Sequence, residues 1–444
     1  MMYFKPPFVP LSISLICLVG MSSVQSATPT AEEMWEIIQQ QQRVIQELQA
    51  RLDQTEDKAA AAETRAEEAT RNVEAAADAI EAARDSSSRS GSWADRTTIG
   101  GYGELHYNNL DDENDGIGGN DDLERVDFHR FVLYFGHEFT DRIRMFSELE
   151  LEHALTEDTA DGSGPGEVEL EQAWIEMDLT NHHRVRAGLD ILPIGIINTT
   201  HEPDTFYGVE RNKVESEIIP ATWWEAGIGF MGELAPGWNY DLVAHSGLSV
   251  PTTGGSALRP RSGRLKVAEA DDQDIAFTGR LRYTGFPGLE VGVAGQYQRD
   301  ITGTVDAIDL DATLFEGHID YRHASGLGLR ALYARWDYGD DNGLDPDSLN
   351  ADTLDGWYIE PAYRFTLPGG NWGDVGIFAR YENWDERNNI SGSHRFEDFS
   401  RWVAGLNWWP VHQVVLKFDY QDEDADGPVD AVYKGFNLGI GYQF

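Results

Sequence analysis

Arginines spaced two apart are the residues here whose type and spacing point most directly to chemistry. Arg142 and Arg144 flank Ile143, Arg184 and Arg186 flank Val185, and Arg280 and Arg282 flank Leu281. Arg364 and Arg380 alternate in the same way with Ile359, Tyr363, Ile377 and Tyr381. In an extended chain residues two apart share a face, so each pair presents two guanidinium groups together. A guanidinium keeps its charge at any relevant pH, and its rigid fork of donors matches a phosphate or a carboxylate. Glu148, Glu150 and Glu152 form an acidic row with the same spacing. Two readings of these rows stay open: opposed acids and bases that orient a passing ion, or charges that balance one another and hydrate a wall.

Other chemistry finds no footing. Carboxylate pairs such as Glu169/Glu171 are what two-residue alternation yields in so acidic a chain. His182-His183 falls in a predicted tight turn, and His318 and His323 lack metal-ligand spacing to partners. No glycine-rich phosphate loop or nucleophile elbow occurs. No catalytic residue, metal or cofactor is expected, and the chain does not read as an enzyme. Its 77 acidic and 34 basic residues give a net charge of −43, which excludes nucleic acid as a partner. The one cysteine, Cys17, lies in an apolar N-terminal run, so a processed chain has no thiol.

The elements that must carry the arginines are strands. From residue 97 to 444 the chain alternates apolar and polar residues in about sixteen segments, predicting an all-β transmembrane barrel of antiparallel strands. Connections alternate strictly between long and short. Stretches 108–123, 249–272 and 339–353 are long and rich in Asp, Asn and Gly. Thr140-Asp141, Ala235-Pro236-Gly237 and Phe286-Pro287-Gly288 are tight turns. Long outer loops and short periplasmic turns are what an outer-membrane barrel requires. In the last strand Phe436, Leu438, Ile440, Tyr442 and Phe444 fall on one face, and Gly435, Asn437, Gly439, Gly441 and Gln443 on the other. Trp223, Trp224, Trp372, Trp408 and Trp409 cluster at strand ends, where an aromatic girdle is expected.

The alternation stops at 193–220. Pro193, Pro203 and Pro220 exclude a regular central strand or helix there, yet the stretch is rich in Ile, Phe, Tyr and Val. A long irregular apolar loop in a regular β pattern is usually functional, and in a closed barrel it fits in the lumen. His201, Glu202, Asp204, Glu210, Arg211 and Lys213 are expected to line a constriction, with Phe206 and Tyr207 anchoring the loop. The segment RPRSGRLK, with Arg259, Arg261, Arg264 and Lys266, is the one dense basic cluster. It suits anions at a channel mouth, lipopolysaccharide phosphates or plain solvation.

Residues 1–27 read as a secretory signal: Lys5, an apolar core, and a small-residue cleavage site at Val24-Gln25-Ser26. Residues 31–84 hold a seven-residue repeat, with seam positions Ile38, Ile45, Leu52 and Met34, Leu48, Ala62 free of charge. That predicts an N-terminal helical coiled coil of about seven heptads, placed in the periplasm. Residues 85–96 form a flexible linker, and 97–444 the barrel.

The chain resembles the phosphate-selective porin O/P family of outer-membrane porins. The resemblance rests on Gly101-Tyr-Gly-Glu-Leu-His106, Glu148-Leu-Glu-Leu-Glu-His153 and Glu171-Gln-Ala-Trp-Ile-Glu176. In the loop it rests on Pro193-Ile-Gly-Ile, Thr200-His-Glu-Pro203, Phe206-Tyr-Gly-Val-Glu-Arg211 and Ile219-Pro220. It implies a homotrimeric channel in the outer membrane of a Gram-negative bacterium, among lipid and lipopolysaccharide, passing small hydrophilic solutes and ions such as phosphate. Phosphate preference in that family depends on an arginine ladder and a lysine ring, and this chain is poor in lysine. A general or cation-preferring porin, and a tether whose coil grips the cell wall, remain the alternatives.

Overall fold

The computed structural model describes residues 93–113, 122–154, 166–268, 274–303, 309–339, 351–369, 372–387, 396–426, 429 and 431–444, with Trp35 and Gln42. The expected signal segment lies outside these residues. So does the expected coil, apart from Trp35 and Gln42, which are helical and exposed. The chain divides into two units, Met1–Ser90 and Gly91–Phe444.

The second unit is a closed antiparallel barrel of sixteen strands. Its first half comprises β1 (Thr97–Asp112), β2 (Leu123–Thr140), β3 (Ile143–Glu152), β4 (Val168–Asp178), β5 (His183–Ile191), β6 (Trp224–Ala235), β7 (Trp238–His245) and β8 (Ala276–Phe286). The second half comprises β9 (Leu289–Gln298), β10 (Ala312–Arg322), β11 (Leu327–Tyr338), β12 (Thr353–Thr366), β13 (Asp374–Arg387), β14 (Phe396–Val411), β15 (Val414–Ala425) and β16 (Tyr433–Gln443). Every strand pairs with its neighbours in sequence. β1 closes on β16, from Tyr102 opposite Gln443 to Asp112 opposite Tyr433. Closure leaves no unpaired strand edge, which a wall facing hydrocarbon cannot tolerate.

The two faces of this wall invert those of a water-soluble protein. Phe277, Phe315, Trp402, Leu438, Ile440 and Phe444 are exposed on the outside, while Thr278, Glu316, Arg401 and Asn437 are buried inside. The final strand thus faces as its alternation predicts. The expected girdle needs correction at three positions. Trp223, Trp224 and Trp409 are buried, and only Trp372 of the fully described pattern stands well exposed. Outward aromatics come instead from strand positions such as Trp238, Tyr297, Trp357 and Tyr420.

Short turns join the strands at one end of the barrel and longer segments at the other, as the sequence rhythm requires. The apolar core lies within the long-loop half of the barrel. There Ile194, Ile196, Val214, Ile218, Ile219 and Trp223 pack with Leu248, Val250 and Leu258 of the following long loop. Leu314, Leu332, Trp336, Tyr358, Trp384 and Phe399 complete it from β10 to β14.

Candidate pore constriction

Residues 192–223, between β5 and β6, leave the wall and fill part of the barrel. Asn198 closes the two ends of this excursion on one side chain. Its Nδ2 donates to the Leu192 carbonyl at 2.8 Å and to that of Trp223 at 3.3 Å, and its Oδ1 accepts from the Trp223 amide at 2.6 Å. Glu215, fully buried, organises the interior. It accepts from the amides of Ile196 (2.8 Å) and Ile197 (2.5 Å), from Asn212 Nδ2 (3.2 Å) and from the Tyr358 hydroxyl (2.8 Å). A loop with three prolines cannot pair its own backbone regularly, so side chains must satisfy it.

The wall supplies the rest. Asp419 accepts from the Val209 amide at 2.6 Å and Glu382 from the Lys213 amide at 2.6 Å. Arg330 donates to the Thr205 carbonyl at 2.8 Å, Asn407 to that of Phe206 at 3.2 Å, and Trp336 to that of Ile218 at 2.8 Å. Phe206 is buried with the Lys417 ammonium 3.6 Å from its ring centroid, and Tyr207 stacks on Phe378 at 5.3 Å. Glycines on the inner wall make room: a Cβ on Gly441 would meet Pro203 at 2.4 Å, and one on Gly376 the Tyr207 ring at 2.7 Å.

Each candidate loop residue has a distinct place. His201 is buried between Glu148 (3.4 Å) and Glu171 (3.5 Å). Burial alone would push its pKa down, but those two carboxylates carry it up to about 10. Asp204 bonds Gln443 of β16. Glu202 faces a cavity of about 440 Å³ on the short-turn side, with Arg184, Arg186, Arg280 and Arg282 opposite. Glu210, Arg211 and Lys213 line a second cavity, of about 320 Å³, on the long-loop side. There Glu210 bonds His106 (3.1 Å) and Asn108 (3.0 Å), and Lys213 pairs with Glu386 (3.4 Å). Arg211 donates one Nη to Thr222 at 3.1 Å, leaving Nε and the other Nη without a hydrogen-bond partner among the described residues.

The wall arginines are paired. Arg144, Arg184 and Arg186 all meet Glu176, the last two at 3.2 and 2.8 Å; Arg144 also meets Asp178 and Arg186 meets Asp190. Register places Arg144 and Arg186 directly across from Glu176 on either side. Arg280 pairs with Asp241 at 2.9 Å, Arg282 with Glu290 at 3.2 Å and Arg364 with Asp374 at 3.0 Å. Arg380 is buried between Glu360 (3.1 Å) and Glu382 (3.2 Å). Arg142 lies in the turn before β3 and donates to the carbonyls of Asp178 and Leu179. Of these wall arginines, Arg280 has its Nη1 and Arg282 its Nε buried without a hydrogen-bond partner among the described residues.

Sequence reasoning missed Glu215 and Asn198, and the inner-wall cations Arg130, Arg330, Arg401 and Lys417. Strand alternation assigns a face but not a partner, and only hairpin arithmetic across 179–182 would have matched Glu176 with Arg186. The basic segment holds the loop instead of standing in solvent. Arg259 pairs with Glu217 at 2.6 Å, Arg261 donates to the Ala221 carbonyl at 2.7 Å, Arg264 donates to that of Thr222, and Lys266 bridges Glu167 and Glu169. Burial, with Arg261 alongside, depresses the Arg264 guanidinium to about 10.

No family model matches the chain. An uncharacterized protein of Aquifex aeolicus (strain VF5) is 29% identical over 356 residues, 74% of this chain and 76% of that one. The structure is similar to that of Salmonella typhi OmpF in complex with daunomycin, with a TM-score of 0.50 at 13% identity, covering 78% of this chain and 97% of that one. The outer membrane channel DcaP of Acinetobacter baumannii matches at a TM-score of 0.49 and 13% identity, over 78% and 97% of the two chains. At such identities the likeness is one of fold. The fold is that of outer-membrane porins.

Proposed function

We propose that the chain is an outer-membrane porin, a passive aqueous channel for small hydrophilic solutes whose narrowest part is set by residues 192–223. The observation that carries this reading is the loop itself. It is bound to the inner wall of a closed barrel, with a polar, charge-lined cavity on each of its two sides. An anchor or tether has no need of such polar cavities, whereas a hydrated solute needs polar groups along its path. The long-loop end is assigned to the cell exterior and the short-turn end to the periplasm. Three copies are proposed to associate, with the coil of 31–84 in the periplasm; the uncharged heptad seam supports self-association.

A mild preference for phosphate and other oxyanions is the finer part of the proposal. The four arginines that line the 440 Å³ cavity, and Arg211 at the other, support it. Pairing of the remaining arginines limits it, since a neutralised row exerts little field. Purified protein in a planar bilayer under a salt gradient tests both levels. Stepwise ohmic conductance with a reversal potential on the anion side is expected. No conductance from folded protein would reject the channel, and a cation-side reversal potential would reject the anion preference alone.

A further inference from the structure

We propose that Asp127, His129 and His153 form a binding site for a divalent transition-metal ion with the ligand preferences of zinc. The three residues meet at the long-loop half of the barrel, from one strand and the segment that follows the next. Asp127 and His129 belong to β2, and His153 follows β3 directly. Between His106 opposite Asp127 and Glu104 opposite Arg130 the register slips, so that 128 and 129 together face Leu105. Such a bulge bends the strand and re-aims a side chain. Here it stacks His129 on His106, with ring centroids 4.7 Å apart and planes 13° from parallel, at the edge of the 320 Å³ cavity.

His153 arrives by a second irregularity. Its φ of 50° lies in the left-handed region that a non-glycine residue seldom adopts, and its amide donates to the His129 carbonyl at 3.1 Å. That geometry delivers the ring to Asp127, with Nδ1 at 2.8 and 2.9 Å from the two carboxylate oxygens. His129 Nδ1 lies 3.3 Å from the same carboxylate. One donor atom from each residue falls within 4.8 Å of the other two. Bonds of about 2.0–2.2 Å to a four-coordinate ion need donors about 3.4 Å apart, so small ring rotations complete the set.

The donor types select the ion. Two imidazoles and one carboxylate suit zinc, nickel or copper, whereas calcium and magnesium take oxygen ligands. The site is also reachable from solvent: side-chain exposures are 13% for Asp127, 30% for His129 and 26% for His153. Among the ion pairs of the described residues, Asp127 meets only these two histidines, so no arginine or lysine occupies the place of the ion. The other clusters of similar size are committed elsewhere. Lys266 already bridges Glu167 and Glu169, and Glu148 with Glu171 holds the buried His201 of the loop. The inference does not rest on the channel reading, because binding alone is measured.

Full-length protein, stripped of metal by a chelator, is titrated calorimetrically with Zn²⁺ and, separately, with Ca²⁺. One zinc per chain is expected, with calcium at least tenfold weaker. In His129→Gln/His153→Gln the zinc affinity should fall by more than the roughly 10–100-fold that losing a ligand's supporting hydrogen bond costs. His201→Gln should leave it unchanged. Absence of zinc binding, unchanged affinity in the folded double variant, or a loss confined to His201→Gln would each overturn the site. If the double variant does not fold, Asp127→Asn, which preserves shape, and X-ray absorption of zinc-loaded wild-type protein decide. Scattering from two imidazoles supports the site, and an all-oxygen shell overturns it.

Discussion

At Gly441 a single missing Cβ lets the constriction loop reach the wall. Adding one there meets Pro203 at 2.4 Å, and the pyrrolidine ring cannot turn aside as a flexible side chain would. Gly441→Leu should therefore lift the 203–211 segment off β16 while leaving the outward face of that strand intact. The expected result is a folded barrel with conductance changed by more than twofold and loop residues newly open to protease. Unchanged conductance and protection would mean that the loop does not depend on this contact. His201 adds a pH dependence. Its folded pKa is raised, so its contribution to loop docking is complete below the ordinary imidazole value of about 6.5 and falls as pH rises, vanishing above about 10. The stability gap between wild-type protein and His201→Gln should shrink from pH 6 to pH 10.5. A gap that stays constant would show that the proton is not shared with Glu148 and Glu171.

Among elements, the β3–β4–β5 sheet shows what the sequence carried and what it withheld. Period-two alternation put Arg144, Arg184 and Arg186 on one face. Their shared partner depends on register, which places Arg144 and Arg186 across from Glu176. Removing arginines from this group consequently does more than subtract positive charge. Arg144→Ala/Arg184→Ala/Arg186→Ala strips the partners of Glu176, which is 3% exposed, and should move the reversal potential towards cations. Arg280→Ala/Arg282→Ala should reduce phosphate block more, because each of these guanidiniums lines the cavity with a single carboxylate partner among the described residues, Asp241 or Glu290. Equal loss of block in both variants would place the anion preference elsewhere. The loop shows the same division. Its prolines and broken alternation marked it as irregular, and its apolar content marked it as buried. Nothing local in sequence marks Glu215 as the acceptor for Ile196 and Ile197, since those amides come from a stretch that only the folded path brings near. Glu215→Ala should cost about 2–6 kcal/mol of loop docking, from two orphaned amides at about 1–3 kcal/mol each. Limited proteolysis of 192–223 measures it, and a loop as protected as in wild-type protein would contradict the assignment.

Over the whole molecule the question is how a chain of net charge −43 could favour anions at all. Total charge acts at a distance only through unscreened field, and in physiological salt that field decays over about 8 Å. The long segments 113–122 and 339–352 carry nine of the 77 acids, and the strands they connect, β1 to β2 and β11 to β12, are joined there at the far end of the barrel from Arg280 and Arg282. An ion at the 440 Å³ cavity meets mainly the groups that line it, among them four arginines against Glu148, Asp190, Glu202 and Asp241. A lining so nearly balanced gives a weak selectivity, set by which groups are least neutralised by their partners and sensitive to ionic strength. Lowering the salt lengthens the screening distance to about 30 Å at 0.01 M, so the distant acids come into play. The reversal potential measured at a fixed salt ratio should accordingly move towards cations as the mean salt is lowered from 1 M to 0.01 M. Neutralising the loop acids should abolish that shift while leaving the value at 1 M in place. A reversal potential independent of mean salt would mean that the acidic loops never act on the pore, and that its lining alone sets the preference.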